Sequence, residues 1–327
     1  MVKVFCPCFS KFRQFFVSNV SHHGTKSWYP GHMYKGMLQM QAKLAIVDCI
    51  LEVHDARIPF SGRNPQFYSR LTAIKPHILI LNKCDLIEPS VRSKIREQLL
   101  KEHNIKEVMF TDCKASHKGG IDKILPTAIE MVKETDVYVR SNQPHTNLMV
   151  IGIPNVGKSS VINRLRNIHL QKKKATAVGN TPGITKTVLE KIKISDNPKM
   201  YLYDTPGVME PCISNVEVGL RLALCKTLKD NLVGETLIAD YLLFWLNKND
   251  NFSYLKYLQM KEPSDDIRVI FLHIAKQHSF VTKIRNAEGS VVQVPDIIKC
   301  AVYFINGFRD GHFGKLLLDS DHLKRSS

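Results

Sequence analysis

The chain is 327 residues long, which suits about two domains, and its 44% of hydrophobic residues are enough to build a core. No uninterrupted apolar stretch approaches the roughly 18 residues that a membrane-spanning helix needs. The 46 Lys and Arg residues outnumber the 30 Asp and Glu residues, and the net charge of +16 favours a polyanionic partner, either nucleic acid or an anionic membrane surface. A protein that is merely soluble and basic is the simpler alternative.

The cysteines predict no disulfide framework. Cys6 and Cys8 form a C-x-C pair without a second half, which is weak evidence for a zinc site. The others are scattered, mostly in apolar runs, as reduced core cysteines are. A reducing compartment is therefore expected.

The N-terminal segment is basic throughout, because the first acidic residue of the chain is Asp48. It also carries serines and bulky apolar side chains, a composition typical of a mitochondrial transit peptide. Residues 1–27 are therefore predicted to be a transit segment. An ordinary disordered basic tail has the same composition and stays as the alternative.

Apolar, strand-like runs alternate with helical stretches from residue 45 to about 203. This alternation predicts an α/β domain with a doubly wound, mostly parallel sheet, in which ligands bind at the carboxyl ends of the strands. The predicted strands are 45–53, 77–81, 108–110, 148–151, 187–194 and 200–203, and the helices between them include 90–103 and 121–133.

A phosphate-binding loop is the clearest motif of the chain. The stretch Gly152–Ser159 fits G-x-x-x-x-G-K-[ST] between a predicted strand and a predicted helix. Its glycines let backbone N–H groups converge on phosphate oxygens, and the helix N-terminus adds a partial positive charge. Lys158 is predicted to reach the β- and γ-phosphates, and the Ser159 hydroxyl to bind Mg²⁺. The other nucleotide-binding candidates of this loop are Asn155, Val156, Gly157 and Ser160.

A guanine-recognition motif, N-K-x-D, lies at the end of an earlier strand. The Asp85 carboxylate can accept hydrogen bonds from guanine N1–H and the 2-amino group, which adenine cannot offer. Asn82 can bond the N7/O6 edge, and the Lys83 stem can cover the base plane. Together with the phosphate loop, this motif predicts GTP and GDP as ligands. The region of the fifth guanine-nucleotide motif, Thr111–Lys114, departs from the usual S-A-K.

A D-x-x-G motif follows the last predicted strand and is a candidate switch. Asp204 is expected to hold Mg²⁺ through water, and the Gly207 N–H to meet the γ-phosphate. Thr185 is the candidate for the hydroxyl that completes the Mg²⁺ coordination. Thr181 and Thr187 are the competing choices.

The order of these motifs predicts a rearranged chain, because in Ras-like GTPases N-K-x-D comes last, whereas here it comes first. The same sheet forms if the chain is circularly permuted, since the termini of a compact domain often lie close together. We therefore predict a circularly permuted P-loop GTPase domain over 28–210 and a smaller, mostly helical domain over 211–327. Helical spacing of apolar residues places the helices of the second domain at 217–228, 232–247, 252–259 and 266–279.

The motifs taken together resemble the YlqF/RbgA family of circularly permuted GTPases. In chain order they are W-Y-P-G-H-M from Trp28, D-A-R-I-P from Asp55, N-K-x-D, G-I-P-N-V-G-K-S-S, P-G-I-T, D-T-P-G-V and, near the C-terminus, G-K-L-L-L-D. The resemblance implies late assembly of the large ribosomal subunit, rRNA contact and GTP hydrolysis stimulated by the particle. With the basic leader, it favours a mitochondrial member of the family.

The resemblance also implies catalytic residues. Val208 stands where Ras-like enzymes place the Gln that orients the attacking water, and a valine cannot orient water. The family suggests His32 as the replacement, because an imidazole can hydrogen-bond a water. His32 could equally be a structural histidine that packs beside Trp28. The catalytic candidates are therefore His32, Lys158 and Thr185.

Two further ligands are implied. Asn155 resembles the residue that binds K⁺ in related GTPases, where K⁺ can play the part of an arginine finger; a loop-stabilising amide is the alternative. The basic residues Arg164, Arg166 and 172–174 are candidates for contacts with rRNA phosphates, although a solvated charge run explains them as well.

The sequence thus predicts a GTP-hydrolysing assembly factor that uses Mg²⁺ and K⁺ and binds the mitochondrial large ribosomal subunit and its rRNA. The expected location is the mitochondrial matrix, with or without peripheral association with the matrix face of the inner membrane. One alternative is a GTP-dependent ribosome-binding scaffold or regulator of mitochondrial translation, in which hydrolysis is incidental. Another is a membrane-surface signalling GTPase anchored by the basic leader.

Overall fold

The computed structural model of the chain describes residues 12–17, 43–63, 75–102, 105–115, 119–134, 145–170, 191–204, 213–285 and 291–323. They divide into two compact units. The sheet unit comprises the described residues of 22–229 together with 315–323, and the helical unit comprises 12–17 and the described residues of 230–314. None of the described helices combines the length and the apolar character needed to cross a membrane.

The sheet unit contains six strands in the spatial order β3-β2-β1-β4-β6-β5, and the helical unit contains a two-stranded sheet of β7 and β8. The strands are β1 Cys49–Asp55, β2 His77–Asn82, β3 Glu107–Thr111, β4 Thr146–Ile151, β5 Lys191–Asp196, β6 Lys199–Asp204, β7 Val281–Arg285 and β8 Val291–Pro295. Strands β1 to β4 and β6 pair in parallel, whereas β5 runs antiparallel to β6.

Helices α1 to α4 and α10 belong to the sheet unit, and α5 to α9 belong to the helical unit. In chain order they are α1 Arg92–Glu102, α2 Ile124–Glu134, α3 Lys158–Leu170, α4 Val216–Leu224, α5 Asp230–Val233, α6 Glu235–Lys248, α7 Ser253–Leu258, α8 Ile267–His278, α9 Ile297–Arg309 and α10 Ser320–Leu323.

The central strands β1, β2 and β4 explain why the sheet is parallel and covered on both faces. Every residue of β1 and β2 is buried, and so is every residue of β4 after Thr146. Near-continuous apolar sequence, such as residues 78–81, is what a strand covered on both faces requires. The predicted α/β fold with a mostly parallel sheet is confirmed.

Glu52 is a fully buried carboxylate within β1. Its two oxygens accept hydrogen bonds from Nε and Nη2 of Arg63, each at 3.0 Å, and His77 Nε2 lies 2.9 Å away. Burial by itself raises the pKa of Glu52, but the charge of Arg63, helped by the neighbouring His77 imidazole, outweighs burial and holds that pKa well below its ordinary value. Glu52 therefore links β1 to the loop after β1 through its ion pair with Arg63, and lies in contact with His77 at the start of β2.

Two predicted strands differ from the observed ones by more than two residues at their first residue. β1 begins at Cys49 rather than at residue 45, because the ladder with β4 starts at the Cys49–Leu148 pair and Leu44–Ile46 form a 3-10 turn. The predicted strand 187–194 is observed as β5, which extends to Asp196 and forms a hairpin with β6. Residues 187–190 lie outside the described part of the chain.

The helical unit is built around aromatic side chains. Tyr241, Tyr254 and Phe304 are fully buried, and Tyr254 meets Phe304 edge to face with the ring centroids 6.2 Å apart. Gly307 of α9 lets two rings approach, because a Cβ there would lie 2.8 Å from Tyr257 Cε1 and 2.9 Å from Phe313 Cζ. The helices predicted in this part of the chain are observed to within a few residues.

The hairpin of β7 and β8 was not predicted. Its ten strand residues pair in antiparallel register from Val281–Pro295 to Arg285–Val291, and most of them are exposed. The sequence V-T-K-I-R and V-V-Q-V-P is rich in β-branched residues, which was the available signal. The helical periodicity of the neighbouring segments favoured a purely helical interpretation of this part of the chain.

The predicted second domain, 211–327, does not match the observed units. Helix α4 belongs to the sheet unit, and the chain returns to that unit after residue 314. The Leu316 N–H donates to Leu86 O and the Leu318 N–H donates to Arg57 O, both at 2.9 Å. Leu317 packs in a hydrophobic cluster of the sheet unit. The C-terminal segment 315–323 is therefore part of the sheet unit, because its backbone and side chains are satisfied there.

Candidate functional site: a guanine-nucleotide pocket

The phosphate loop connects β4 to α3 in the predicted manner. Helix α3 begins at Lys158, and the Val161 N–H donates to Gly157 O at 2.9 Å. Gly157 has φ +101°, and a Cβ there would lie 2.2 Å from Asn82 Nδ2. Only glycine fits this position without strain. The loop therefore brings the N–H groups at the start of a 13-residue helix to the carboxyl edge of the sheet.

The Lys158 side chain folds back into the loop. It is 8% exposed, and its Nζ donates to Gly152 O at 3.0 Å and to Ile153 O at 2.9 Å. A buried ammonium surrounded by carbonyls is a suitable partner for phosphate oxygens. Ser159 and Ser160 lie on the first turn of the same helix and are half-buried, and Val156 is fully buried.

Asn82 joins the guanine motif to the phosphate loop. Its Nδ2 donates to Val156 O at 2.9 Å, and its Oδ1 accepts from Thr111 Oγ1 at 3.2 Å and from Cys113 Sγ at 3.3 Å. The side chain is 2% exposed. These bonds show that Asn82 joins the phosphate loop to the end of β3. Because guanine N7 and O6 are acceptors, the direct bond that the sequence suggested would use the second hydrogen of Nδ2.

Lys83 also links the guanine motif to the phosphate loop. It adopts the left-handed conformation, with φ +60°, and its Nζ donates to Asp55 Oδ2 and to Asn155 O, each at 2.8 Å. This fixes the lysine stem where it can cover a base. Asp85 follows in the 3-10 turn Cys84–Leu86 and is partly exposed. Within the described residues, no hydrogen bond or ion pair engages the Asp85 carboxylate.

Asp55 opens the D-A-R-I-P motif, to which the sequence assigned no role in the site. It ends β1, is fully buried, and accepts from Arg57 Nε at 3.0 Å and from Arg57 Nη2 at 2.8 Å in addition to Lys83. Burial alone raises the pKa of Asp55, but Arg57 and Lys83 outweigh it and hold that pKa far below its ordinary value. Its position at the carboxyl end of a buried strand was the signal that could have identified it.

Asn155 occupies the bend of the phosphate loop with φ +58°. Its Nδ2 donates to Lys226 O at 2.7 Å, in the segment after α4. The loop-stabilising role that the sequence left open is therefore present in the structure. The oxygen of the same amide is the atom that a cation would need, so the observed contact is compatible with both readings.

The region of the fifth guanine-nucleotide motif, Thr111–Lys114, lies beside Asn82 of the guanine motif. Thr111 ends β3, and Asp112 N–H donates to Gly119 O at 2.9 Å. Burial raises the pKa of the Cys113 thiol to about 12, so this thiol is neutral and serves as a weak donor to Asn82. Although the segment departs from S-A-K, its Cys113 contacts the guanine motif at Asn82.

Comparison with known proteins identifies the family. A family model described as 50S ribosome-binding GTPase matches residues 147–273, which begin within β4 and include the phosphate loop. Mitochondrial GTPase 1 of Aedes aegypti is 48% identical over 90% of this chain and 94% of its own length. Mitochondrial ribosome-associated GTPase 1 of Bos taurus is 44% identical over 92% of this chain and 90% of its own. The chain belongs to this family of mitochondrial GTPases.

Solved structures show that this GTPase shares the permuted fold. The crystal structure of GNP-bound YlqF from T. maritima matches with a TM-score of 0.53 at 19% identity, over 87% of this chain and 97% of that chain. Its GDP-bound form matches with a TM-score of 0.52 at 18% identity. At this level of identity the similarity concerns the fold alone. A permuted fold agrees with the motif order of this chain, in which the guanine motif N-K-x-D precedes residues 147–273, the segment that the GTPase family model matches.

A Mg²⁺ ion fits the geometry of this GTPase. Nucleotide-bound Mg²⁺ needs only one or two protein oxygens, because phosphates and water complete its octahedron. Ser159 is the second residue of α3, and Asp204 ends β6, where it is paired with Val150 of β4 next to the phosphate loop. Among the described residues there is no group of three or more His, Cys, Asp or Glu that could hold a metal by itself.

Arg164 and Arg166, the candidates for rRNA contacts, lie partly buried on α3. The remaining predicted residues of the nucleotide site lie outside the described part of the chain. They are His32, Thr185, Gly207 and the competing residues Thr181 and Thr187.

Proposed function

We propose that this GTPase binds the mitochondrial large ribosomal subunit and uses GTP hydrolysis to drive or check its late assembly. Binding of a guanine nucleotide is supported by the hydrogen bonds between the guanine motif and the phosphate loop. Asn82 and Lys83 of the guanine motif donate to the backbone carbonyls of Val156 and Asn155 in the loop. Base recognition and phosphate binding are thereby held as one pocket. The ribosomal part is supported by the names of the relatives, which are ribosome-associated and mitochondrial.

Each predicted residue of the nucleotide site contacts a different part of the ligand, according to its chemistry. The N–H groups of Gly157 and its neighbours, together with Lys158, bind the phosphates, and Asp85 selects guanine. Ser159, Thr185 and Asp204 hold Mg²⁺, and Gly207 senses the γ-phosphate.

Hydrolysis needs a group that orients water, since Val208 cannot. We assign that role to His32. K⁺ bound at Asn155 would add a fixed positive charge beside the developing phosphate charge. A cation would bind the amide oxygen of Asn155, while the amide nitrogen donates to Lys226 O.

Contact with rRNA is supported by charge. The hairpin strands β7 and β8 carry Lys283 and Arg285 and no acidic residue, and both side chains are exposed. The chain as a whole has a net charge of +16. We place the protein in the mitochondrial matrix, where its partner subunit is assembled, and the same positive surface would allow peripheral contact with the inner membrane.

The test is GTP turnover with and without purified mitochondrial large subunits, in potassium and in sodium, for wild type, His32→Ala and Asn155→Ala. We expect subunits to stimulate wild-type turnover at least tenfold, His32→Ala to lose most of the stimulation with unchanged GTP affinity, and Asn155→Ala to lose the difference between the two salts. Loss of GTP affinity or of thermal stability in His32→Ala would instead indicate a structural histidine.

The same experiment decides between the enzyme and the scaffold. If subunits bind in a GTP-dependent manner but turnover does not rise, hydrolysis is incidental and the protein is a ribosome-binding scaffold or a regulator of translation. If binding to anionic vesicles is strong and binding to subunits is absent, the membrane-surface alternative holds.

A further inference from the structure

Residues 12–17, which fall inside the predicted transit segment, are packed into the helical unit. Arg13 is the centre of this contact. Its Nη1 and Nη2 donate to the two oxygens of Asp240 at 3.1 and 2.8 Å, and its backbone N–H donates to Asp265 Oδ2 at 2.6 Å. The guanidinium also lies 3.2 Å from Asp265 through Nε. One arginine thus bridges two acidic residues that are far apart in sequence.

The Arg13 side chain is only 32% exposed, and those of Asp240 and Asp265 are 24% and 18% exposed. The hydrogen bond from Arg13 to Asp240 is the largest cause of the raised pKa of Arg13, so the guanidinium is held more firmly as a cation than in water. Without Arg13, these two half-buried carboxylates would lose the cation that pairs with both of them, which is unfavourable.

Aromatic packing reinforces the ion pairs. The Phe16 ring lies edge to face against Tyr241 with centroids 5.2 Å apart and contacts Phe244 at 5.5 Å. The Phe12 ring lies 5.6 Å from Phe252. Phe15, by contrast, is 81% exposed. The segment therefore presents one defined face to the helical unit, as a docked element does and a random tail does not.

We propose that residues 12–17 are a permanent part of the mature protein, and that any processing protease removes the leader before Phe12 rather than near residue 27. The basic and aromatic residues that make this stretch resemble a transit peptide are the ones used in docking. Cutting at residue 27 would remove Arg13 and Phe16 and expose Tyr241 and Phe244. The proposal concerns the helical unit and holds or fails independently of the GTPase function.

The direct test is the N-terminus of the full protein recovered from mitochondria, determined by mass spectrometry of its N-terminal peptide. We expect the mature chain to begin at or before Phe12. A mature N-terminus anywhere from residue 13 to residue 28 overturns the proposal.

A stability test separates docking from chance contact in the purified full-length chain. Phe16→Ala is compared with Phe15→Ala, which removes the same group from the exposed neighbour. We expect Phe16→Ala to lower the melting temperature of the helical unit by about 4–8 °C and to speed amide exchange in α6 at least tenfold, with Phe15→Ala close to wild type. Equal behaviour of the two variants would contradict docking.

Arg13 provides a second readout that a misfolded variant cannot imitate. Arg13→Asp should speed amide exchange in α6, and combining it with Asp240→Arg should restore much of the protection, because the opposite charges are again paired. If the double variant is no better protected than the single one, the ion pair does not hold the segment.

Discussion

At the scale of single residues, the Asp55 carboxylate lies fully buried between Arg57 and Lys83. We expect Asp55→Asn to lower the free energy of unfolding by about 3–5 kcal/mol at pH 7, because it removes the buried anion that pairs with both Arg57 and Lys83. It should also weaken GTP binding, since Lys83 loses the partner that fixes its stem. Chemical denaturation and nucleotide titration measure the two effects.

The pH dependence of this effect has a definite sign. The pKa of Asp55 is depressed in the folded chain, so its contribution is complete above its unfolded pKa of about 4 and is lost as the pH falls below that value. The stability difference between wild type and Asp55→Asn should therefore shrink from pH 5 to pH 2. Glu97→Gln, which breaks an exposed pair with Lys101, is the control and should show little difference at any pH.

A substitution at Gly157 tests how closely the phosphate loop approaches Asn82 of the guanine motif. Gly157→Ala should reduce GTP affinity at least tenfold, because the new Cβ would meet Asn82 Nδ2 at 2.2 Å. Gly314→Ala is a matched control, since Gly314 also has a positive φ of +85° but open space around a Cβ. Both variants should lose stability through backbone strain, and only Gly157→Ala should lose affinity for nucleotide. Equal affinities in the two variants would count against the clash.

At the scale of elements, the segment 315–323 closes the sheet unit through Asp319. This fully buried carboxylate accepts from the N–H groups of Phe60 and Ser61 at 2.9 and 2.7 Å and pairs with Arg221 of α4 at 3.2 Å. The segment therefore ties the loop after β1 to the helix that follows the switch motif.

Neutralising this carboxylate should show that the C-terminal segment supports the sheet unit. Asp319→Asn should lower the free energy of unfolding by about 3–5 kcal/mol, because Arg221 loses a buried partner. Asp321→Asn is the matched control: Asp321 also pairs with Arg221, at 2.9 Å, but its side chain is 47% exposed, so we expect a loss of at most about 1 kcal/mol. Urea unfolding of both variants measures the difference, and similar losses would contradict the assignment.

At the scale of the whole molecule, the net charge of +16 predicts how binding to large subunits responds to salt. The logarithm of the binding constant should fall linearly with the logarithm of salt concentration. Replacing Lys283 and Arg285 by Gln should reduce the slope of that line by about 1–2, because each residue is proposed to contact one rRNA phosphate. Replacing the exposed Lys94 and Lys101 of α1 removes the same charge and should leave the slope almost unchanged. Filter binding at several salt concentrations tests this.

The motifs by themselves determined the nucleotide, the permuted order and the family, because each depends on a short stretch of sequence with a strict backbone requirement. Gly157 and Lys158 illustrate this, since glycine and lysine at these positions serve only a few local structures. The strands were also predictable, because central parallel strands need continuous apolar runs. Their ends were less so, as β1 shows, because partner strands decide where a ladder begins.

Only the tertiary structure decided which residues work together. Asn82 turned out to join loops, Asp55 to hold Lys83, the segment 315–323 to belong to the sheet unit, and Arg13 to dock on the helical unit. In each case the partners lie tens to hundreds of residues apart in the chain. Local sequence constrains the backbone of its own segment, whereas a buried charge or ring is stabilised by whichever distant group the fold brings to it.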